Sequence, residues 1–286
     1  MNHKNIFPIE RMCKVLKVSS SSYYHWVKHP ISKKQKRDND LLIKIKAVHI
    51  KSKETYGSPR ITKELNMEGT NVSQKTIARI MKENDIKSRA KRKYKVTTDS
   101  NHKYPISPNL LKRRFLTSDE NQVWVSDITY IHTNNGWLYL TIILDLYDRK
   151  IIGWNMSDRM YTEQTIIPAW NMAVKNRPIN SPLIFHSDRG IQYAANRFRK
   201  KIKAYPLVKQ SMSRKGNCWD NAVAESFFKS LKVEAIYQYR FNTKNQAKIA
   251  VFEYIETWYN ISRRHSHLEN LTKKEFEFIN QLKSVA

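Results

Sequence analysis

The chain has 286 residues and carries 52 lysines and arginines against 25 aspartates and glutamates, so its formal net charge is +27. A charge of this size makes a polyanion, most often a nucleic acid, the expected partner. The apolar share of 40% excludes a disordered chain, and no apolar run approaches the ~18 residues of a membrane span. Two cysteines, Cys13 and Cys218, exclude a disulfide scaffold and a four-cysteine metal site.

Most of the positive excess lies in the first part of the chain, because residues 1–116 hold 28 basic against 9 acidic side chains. Residues 9–28 predict two short helices, since apolar side chains recur there at helical spacing and the serines from Ser19 onward can cap the second helix. Two short helices around a tight turn are helix-turn-helix architecture, and a plain helical hairpin is the alternative.

Further helices are predicted before residue 90. Ser58 followed by Pro59 predicts a helix start, because serine caps helices and proline is tolerated in the first turn. Ser73 is the predicted cap of the last of these helices. The predicted helices cover residues 38–54, 58–65 and 74–84.

The last of these helices has a basic polar face and is followed by a basic run. Lys75 and Arg79 lie on the predicted polar side, and the run covers residues 87–95. A bare charge run is usually a solvated tail, but its place after a helical unit favours contact with DNA phosphates. We therefore predict a helix-turn-helix DNA-binding region at residues 1–95, followed by a polar, proline-containing linker at residues 96–116.

A β-rich pattern begins at residue 123 and changes into alternating helices and strands. Three meandering strands followed by this alternation predict an α/β fold, a ribonuclease H-like mixed five-stranded sheet with flanking helices. We place this core, with a C-terminal helical extension, at residues 117–286. Strands are predicted at residues 123–132, 137–146, 151–156, 183–186 and 208–212, and helices at 162–175, 194–204 and 221–237.

Three acidic residues stand out in this core. Asp127 lies inside an otherwise apolar strand, Asp188 follows the fourth strand, and Glu225 lies on the last predicted helix. An acid in a buried strand is costly unless it is paired or bound to a metal. Carboxylates without histidine or cysteine at ligand spacing favour Mg²⁺ or Mn²⁺, and two such ions can clamp the oxygens of a phosphoryl displacement. An ordinary salt bridge is the alternative for each acid alone.

Two lysines share a strip of the last predicted helix with Glu225. At about 100° per residue, Lys229 and Lys232 fall beside Glu225 and off the apolar face, so they could bind phosphate there. An i,i+4 pair between Glu225 and Lys229 is the alternative. Asp220 is expected to cap this helix and Glu234 to lie on the flank of its apolar face, so we expect neither acid to serve the chemistry.

The loop before this helix is basic and carries an aromatic side chain. We expect Arg214 and Lys215 to contact DNA and Trp219 to lie near it, and a core position for Trp219 is the alternative. His186 precedes Asp188 closely. It is expected either to position water or DNA or to serve the strand structurally.

Several long strings of the sequence resemble one protein family. They surround Asp127 (Trp-Val-Ser-Asp-Ile-Thr-Tyr-Ile), Asp188 (His-Ser-Asp-Arg-Gly-Ile-Gln-Tyr) and Glu225 (Asn-Ala-Val-Ala-Glu-Ser-Phe-Phe), and others lie at residues 56–61 and 259–266. On these motifs the chain resembles the second-frame (OrfB) proteins of bacterial insertion sequences of the IS3 family. Those proteins are DDE transposases with a catalytic core related to that of retroviral integrases. The resemblance covers nearly the whole chain.

The resemblance implies a function and roles for individual residues. Asp127, Asp188 and Glu225 match the family's catalytic and metal-binding acids, and Lys232 matches its basic residue two turns after the glutamate. The implied activity is metal-dependent DNA cleavage and strand transfer with Mg²⁺ or Mn²⁺. Water attacks the phosphodiester at the element's end, and the freed 3′-hydroxyl then attacks another phosphodiester.

The resemblance also implies partners and a location. The expected partners are double-stranded DNA, both the element's terminal inverted repeats and the target, together with the upstream-frame protein or a frameshift fusion with it. Further copies of the chain are expected on the DNA, and no membrane partner is expected. Because the N-terminus lacks the pattern of a signal peptide, we expect a cytoplasmic, nucleoid-associated bacterial protein.

The chain departs from the family pattern at two places. One residue more than usual separates Asp188 from Glu225, and we expect it near residues 204–207 without effect on the chemistry. Lys273 stands where the family usually has proline, which concerns packing.

Two other functions are weighed against transposition. A DNA-binding regulator built on an inactive core is the first, and the intact carboxylates argue against it. A ribonuclease H-type hydrolase of RNA–DNA hybrids is the second, and the basic N-terminal helices argue against that.

Overall fold

The computed structural model describes residues 6–29, 31–89 and 104–285, and the chain divides into two compact units at the junction of Ser88 and Arg89. The first unit is all-helical, and each helix that the sequence predicts before residue 90 is present, with the third starting earlier than expected. Its helices are α1 (Ile9–Val15), α2 (Ser20–Lys28), α3 (Lys33–Lys51), α4 (Ser58–Met67) and α5 (Gln74–Glu83).

Three serines cap helices of this unit. The side-chain oxygens of Ser19, Ser32 and Ser73 accept hydrogen bonds from backbone N–H groups in the first turns of α2, α3 and α5. The prediction that Ser58 caps α4 is wrong. The helix already begins at Ser58, and the extended residue before it is Gly57.

The core of the first unit lies between α3, α4 and α5. Ile45, Ile61, Leu65 and Ile77 are fully buried there and lie on the inward faces of their helices. Within α1 and α2, by contrast, Cys13 is the buried residue. The three longer helices therefore provide most of the apolar burial that stabilises this unit.

The second unit contains one mixed sheet with strand order β3-β2-β1-β4-β5. The first three strands form an antiparallel meander, and the last two join β1 in parallel. This arrangement confirms the predicted five-stranded α/β fold, and β5 matches its predicted bounds. The strands are β1 (Val123–Thr133), β2 (Gly136–Asp145), β3 (Ile151–Ser157), β4 (Leu183–Ser187) and β5 (Val208–Met212).

In the described part of the second unit, six α-helices accompany this sheet, and two of them replace one predicted helix. The predicted helix at 194–204 is interrupted at Ala195, whose extended backbone (ψ 139°) ends one helix and starts the next. The helices are α6 (Ile166–Asn176), α7 (Ile191–Ala194), α8 (Asn196–Lys203), α9 (Ala222–Glu234), α10 (Lys244–Phe252), which continues as the π-helical segment Glu253–Ser262, and α11 (Lys273–Val285). Within the described ranges, no helix combines the length and apolar character needed to cross a membrane.

Alternate residues of β1 face two hydrophobic cores, one on each side of the sheet. Val125 and Ile131 belong to the core that contains Phe227 of α9. Trp124 belongs to the other core, where it packs edge-on against Trp170 of α6 with ring centroids 5.7 Å apart. Because β1 is buried on both faces, its position in the molecule is fixed by packing on both sides.

A close approach of β3 to α6 depends on Gly153. A Cβ atom at this position would lie 2.2 Å from the carbonyl oxygen of Ala169 and 2.8 Å from the Cβ of Ala173. The first of these is a backbone atom of a buried helix, so it cannot move aside unless the helix moves.

We expect Gly153→Ala to lower the free energy of unfolding by about 1–3 kcal/mol, because overpacking forces α6 away from the sheet. Thermal or urea unfolding of the full chain measures the effect. Gly57→Ala is the control, since the nearest atom to its Cβ position lies 3.9 Å away. Equal stability of Gly153→Ala and the parent chain would contradict the packing described here.

Candidate active site

Asp127 and Asp188 lie at the end of a short parallel pairing. The last residue pair between β1 and β4 is Ser126 opposite Ser187. Asp127 is the next residue of β1, and Asp188 is the next residue after β4. Because the two strands are parallel neighbours, their two carboxylates emerge at the same end of the sheet.

A backbone N–H group holds each of these carboxylates. Oδ1 of Asp127 accepts from the N–H of Ile128 at 2.8 Å, and Oδ1 of Asp188 accepts from the N–H of Gly190 at 2.9 Å. A Cβ atom at Gly190 would lie 3.0 Å from that same Oδ1, so only glycine fits here without pressing on the carboxylate. Burial and the neighbouring charge of Asp188 raise the pKa of Asp127 well above its usual value.

Glu225 joins these two acids from the first turn of α9. Nδ2 of Asn221 donates to the carbonyl oxygen of Ser126 at 3.1 Å, which fixes the start of α9 beside Asp127. Burial and the charge of Asp188 raise the pKa of Glu225. The structure thus brings together the three acids that the sequence singled out.

Lys232 lies two turns further along α9 and is partly buried. Burial lowers the pKa of Lys232, and the charge of Asp127 opposes that shift. The Nζ atom of Lys232 lies 5.5 Å from the ring centroid of Tyr130. Lys229 is exposed, and within the described residues it forms no ion pair with Glu225, so the predicted i,i+4 alternative is not formed.

The chemistry of these three acids fits a divalent cation. They supply oxygen ligands alone, which is the donor set that Mg²⁺ and Mn²⁺ prefer. The pKa values of Asp127 and Glu225 are raised partly by neighbouring negative charge. A cation between the carboxylates would offset that mutual repulsion.

A second group of acids in the same unit has a different explanation. Among the described residues, carboxylate oxygens of Glu120, Asp148 and Glu277 all lie within 4.8 Å of one another. Asp127, Asp188 and Glu225 do not form so tight a group. Arg177 binds Glu120 at 2.9 Å and Asp148 at 2.6 Å, and Lys150 lies 3.7 Å from Glu277. Basic side chains therefore neutralise this second group without a metal.

Two supporting residues escaped the sequence reasoning. The hydroxyl of buried Tyr193 lies 2.9 Å from Oγ of Ser126, which donates to the carbonyl oxygen of Ile142 at 2.7 Å. Tyr193 thereby holds β1 at the residue before Asp127, and Asn221 does the same from α9. Both residues lie inside the strings that carry the family resemblance, and this was the signal that could have identified them.

Known families match most of the chain. The family description "Integrase core domain" matches residues 117–218 and 207–272, and "HTH-like domain" matches residues 36–94. The chain is 40% identical to the transposase InsF of insertion sequence IS3A from Escherichia coli K12, over 277 residues that make up 96% of each protein. The chain belongs to the IS3 family of insertion-sequence transposases.

A second relative agrees with this assignment. A 31 kDa protein of insertion element IS600 from Shigella sonnei is 44% identical to this transposase over 265 residues, which cover 93% of this chain and 97% of that protein. Among solved structures, the catalytic core domain of BIV integrase aligns with 58% of this chain and 99% of its own at 15% identity, with a TM-score of 0.41. The sequence relatives confirm the predicted family, and the transposase is a DDE polynucleotidyl transferase with an integrase core.

Asp220 has a different role in the transposase from the predicted helix cap. It is fully buried, and its carboxylate accepts from Nε of Arg214 and Nε of Arg113 at 2.9 Å, and from Nδ2 of Asn109 at 2.9 Å. The hydrogen bonds from Arg214 and Arg113 hold the pKa of Asp220 well below its usual range. The cap prediction is wrong because the carboxylate binds these donors, while Asn221 occupies the N-cap without a side-chain bond to the helix.

Glu234 is likewise more than a flank residue. Its buried carboxylate accepts from Nη2 of Arg263 at 2.6 Å and from Nε of the same side chain at 2.8 Å. The hydroxyl of Tyr254 and Nε1 of Trp258 also donate to Glu234, at 3.0 and 3.3 Å. Because all three partners come from outside α9, Glu234 ties this helix to the segment 254–263.

We expect Glu234→Gln to lower the free energy of unfolding of the transposase by about 3–5 kcal/mol, because it leaves the charge of Arg263 buried without its partner. Urea unfolding of the full chain measures this loss. The control is Glu83→Gln, which removes an exposed surface ion pair to Arg79 and is expected to cost about 0–1 kcal/mol. A loss no larger than in the control would contradict the structural role of Glu234.

The basic residues predicted to contact DNA fall into two groups in the transposase. Lys75, Lys215 and Lys229 are exposed. Arg79 and Arg214 instead pair with acidic side chains of their own units, in both cases at 2.9 Å. DNA contact by these five residues stays a prediction.

The transposase also buries two basic side chains that the sequence analysis considered. His186 is fully buried, with Nδ1 2.8 Å from Oγ of Ser211 and Nε2 3.2 Å from Oγ of Ser213, and burial lowers its pKa to about 4. This neutral histidine links β4 to β5 and fits the structural alternative. Lys273 is also buried, and its Nζ donates to the carbonyl oxygen of Tyr259 at 2.5 Å, so this departure from the family pattern concerns packing.

Proposed function

We propose that this transposase cleaves the phosphodiester at the ends of its element and joins the freed 3′ end to target DNA, with Asp127, Asp188 and Glu225 as its metal-binding catalytic acids. The observation that supports this most is the meeting of two strand-end carboxylates and one helix-borne carboxylate at one end of the β1–β4 pairing. Mg²⁺ or Mn²⁺ held there would stabilise the attacking and leaving oxygens of an in-line displacement.

The protein's own contribution is to hold these groups in place. Asp127 and Asp188 extend from the buried centre of the sheet, so their spacing is set before DNA binds. Glu225 approaches from α9, whose start is tied to β1. Lys232 on the same helix binds a phosphate oxygen beside the scissile bond. The attacking groups are water and then the 3′-hydroxyl, so no covalent enzyme intermediate is needed.

In this proposal the first unit provides most of the DNA-binding surface. We assign DNA binding to residues 1–95, a linker to 96–116 and the catalytic core with its helical extension to 117–286. Lys75 and Arg79 on α5 contact phosphates. Of the predicted basic run, Lys87 and Arg89 are exposed, and residues 91–95 lie outside the described part of the chain.

The loop before α9 supplies a second DNA contact. Trp219 in this loop is 69% exposed, so the alternative of a core position is wrong. Arg214 and Lys215 precede it, and Lys229 follows on the exposed side of α9. Because Asp220 binds Arg214, this part of the loop has a defined orientation toward an approaching phosphate backbone.

The proposed reaction also sets the partners. Two element ends have to be joined to one target, so copies of the chain assemble on DNA. The upstream-frame protein, alone or as a frameshift fusion, completes the DNA-binding part. Since the substrate is chromosomal DNA, the transposase acts in the bacterial cytoplasm at the nucleoid.

We expect Glu225→Gln to abolish DNA cleavage and strand transfer while binding of the terminal repeats survives, because the amide keeps the size of the side chain and removes the charge that a divalent metal needs. Cleavage of labelled terminal-repeat duplex measures the activity. The unchanged enzyme should need Mg²⁺ or Mn²⁺, and Ca²⁺ should permit binding with little chemistry.

The control for this variant is Glu163→Gln, which removes a carboxylate of the same unit that pairs with Arg197 at 2.7 Å and should leave cleavage near normal. Cleavage by Glu225→Gln at a near-normal rate, or robust cleavage by the unchanged enzyme in a chelator, would refute the assigned chemistry.

We expect Lys75→Gln in the full chain to weaken duplex binding similarly for all DNA sequences, because one phosphate contact is lost. The slope of log K against log salt concentration should become less steep by about one unit. Fluorescence anisotropy across a salt series measures the slope. Lys51→Gln is the control, since this exposed lysine already pairs with Glu64 at 3.1 Å. Equal slopes for Lys75→Gln and the parent would show that α5 does not contact phosphate.

A further inference from the structure

An aromatic group lies on the β1–β2 hairpin next to the active site. The rings of Tyr130 and Trp137 meet edge-to-face with centroids 5.1 Å apart, and those of His132 and Trp137 meet with centroids 4.9 Å apart. Trp137 is 46% exposed, and His132 is exposed. We call these three residues the hairpin platform.

Strand register explains why the three rings meet. His132 pairs directly with Trp137 across the antiparallel hairpin, and Tyr130 lies two residues before His132, on the same face of β1. β4 pairs with β1 only as far as Ser126, so β4 pairing ends before this part of the strand. The platform therefore lies beyond the part of β1 that β4 covers.

The platform is held rigidly although it lies near a turn. Thr133 donates through Oγ1 to the carbonyl oxygen of Gly136 at 2.7 Å, across a turn that needs the positive φ of that glycine. The backbone N–H of Asn134 donates to the carbonyl oxygen of Phe241 at 3.0 Å, and its side chain bonds Asn242 at 3.0 Å. The hairpin tip is thus bound to the chain that follows α9, and the exposed indole has a defined orientation.

The platform is continuous with the catalytic acids. The ammonium group of Lys232 lies 5.5 Å from the ring centroid of Tyr130, and the same lysine interacts with the charge of Asp127. Asp127, Lys232 and the hairpin platform are therefore consecutive neighbours, and the platform ends in the exposed ring of Trp137. A phosphate next to Lys232 would place the base of an adjacent nucleotide within reach of Trp137.

We propose that the hairpin platform binds an unpaired base of the DNA strand next to the scissile phosphate, by stacking on Trp137. Bases inside a duplex are stacked on both faces, so such a base offers a free face to an aromatic side chain only after it is unpaired. The cation beside the platform and the net charge of +27 favour a polyanionic strand over a neutral peptide. The proposal rests on the proposed function and adds that the end of the element is opened before it is cleaved.

Two substitutions at one position test this stacking. Trp137→Leu keeps an apolar side chain against Tyr130 but removes the aromatic face, and Trp137→Phe keeps a smaller face. The probes are a terminal-repeat duplex and the same duplex with its last two base pairs mismatched, each carrying 2-aminopurine at the terminal base. Affinity, 2-aminopurine fluorescence and cleavage rate are measured for both probes with the full chain.

We expect Trp137→Leu to weaken binding of the mismatched end about 5- to 150-fold, the range for one lost base–aromatic stack, and to abolish the fluorescence change on binding. Binding of the fully paired duplex should change less than about twofold, and Trp137→Phe should keep most of the affinity. Phe278→Ala is the control, because it removes an exposed aromatic side chain from α11 and should leave both probes bound as before. Melting temperatures of all variants confirm that they fold.

Two results would overturn the proposal: tight binding of the mismatched end by Trp137→Leu, or equal weakening for both probes, which indicates a general structural effect. Glu225→Gln in the same assay separates this proposal from the proposed function. That variant should lose cleavage and keep the fluorescence change. If it keeps cleavage, the proposed chemistry fails while the stacking result still stands.

Discussion

The short parallel pairing between β1 and β4 is the constraint on which the site depends. It ends with Ser126 opposite Ser187, and the next residue on each strand is an aspartate. Because neighbouring parallel strands end at the same edge of the sheet, two acids that are far apart in the sequence lie side by side. The two cores on either face of the sheet then fix this meeting point, and α9 has only to add Glu225.

Acidic side chains are scarce in this chain, and they lie in two kinds of surroundings. Asp220, Glu234 and the acids around Arg177 are all bound by arginine, and these ion pairs fasten loops and helices to the sheet. At the end of the β1–β4 pairing the acids instead face one another, and the pKa of Asp127 is raised by the charge of Asp188 as well as by burial. That contrast separates the acids that arginine neutralises from the three acids that we propose for the chemistry.

The fold and the proximity of the three acids could be predicted from the sequence, because both depend on local patterns. An acid inside an apolar strand or directly after one is visible in the local pattern, and so are the strands themselves, as the bounds of β5 show. The role of Glu234 was not visible, because its partner Arg263 lies 29 residues away. For Asp220, Arg214 lies nearby in the sequence, but Arg113 lies 107 residues away. The start of α4 was also misplaced by one residue, because the extended residue before the helix is Gly57, which has no side chain to signal a cap.

The carboxylate of Asp220 joins three separate pieces of chain: the segment with Asn109 and Arg113, the loop with Arg214, and the start of α9. Because the three pieces share one acceptor, their docking onto one another is cooperative: none can detach without weakening the attachment of the others. In folding, the segment that precedes the core therefore closes together with the helix that carries Glu225. Amide hydrogens in these three pieces should consequently exchange as one unit, although they lie far apart in the sequence.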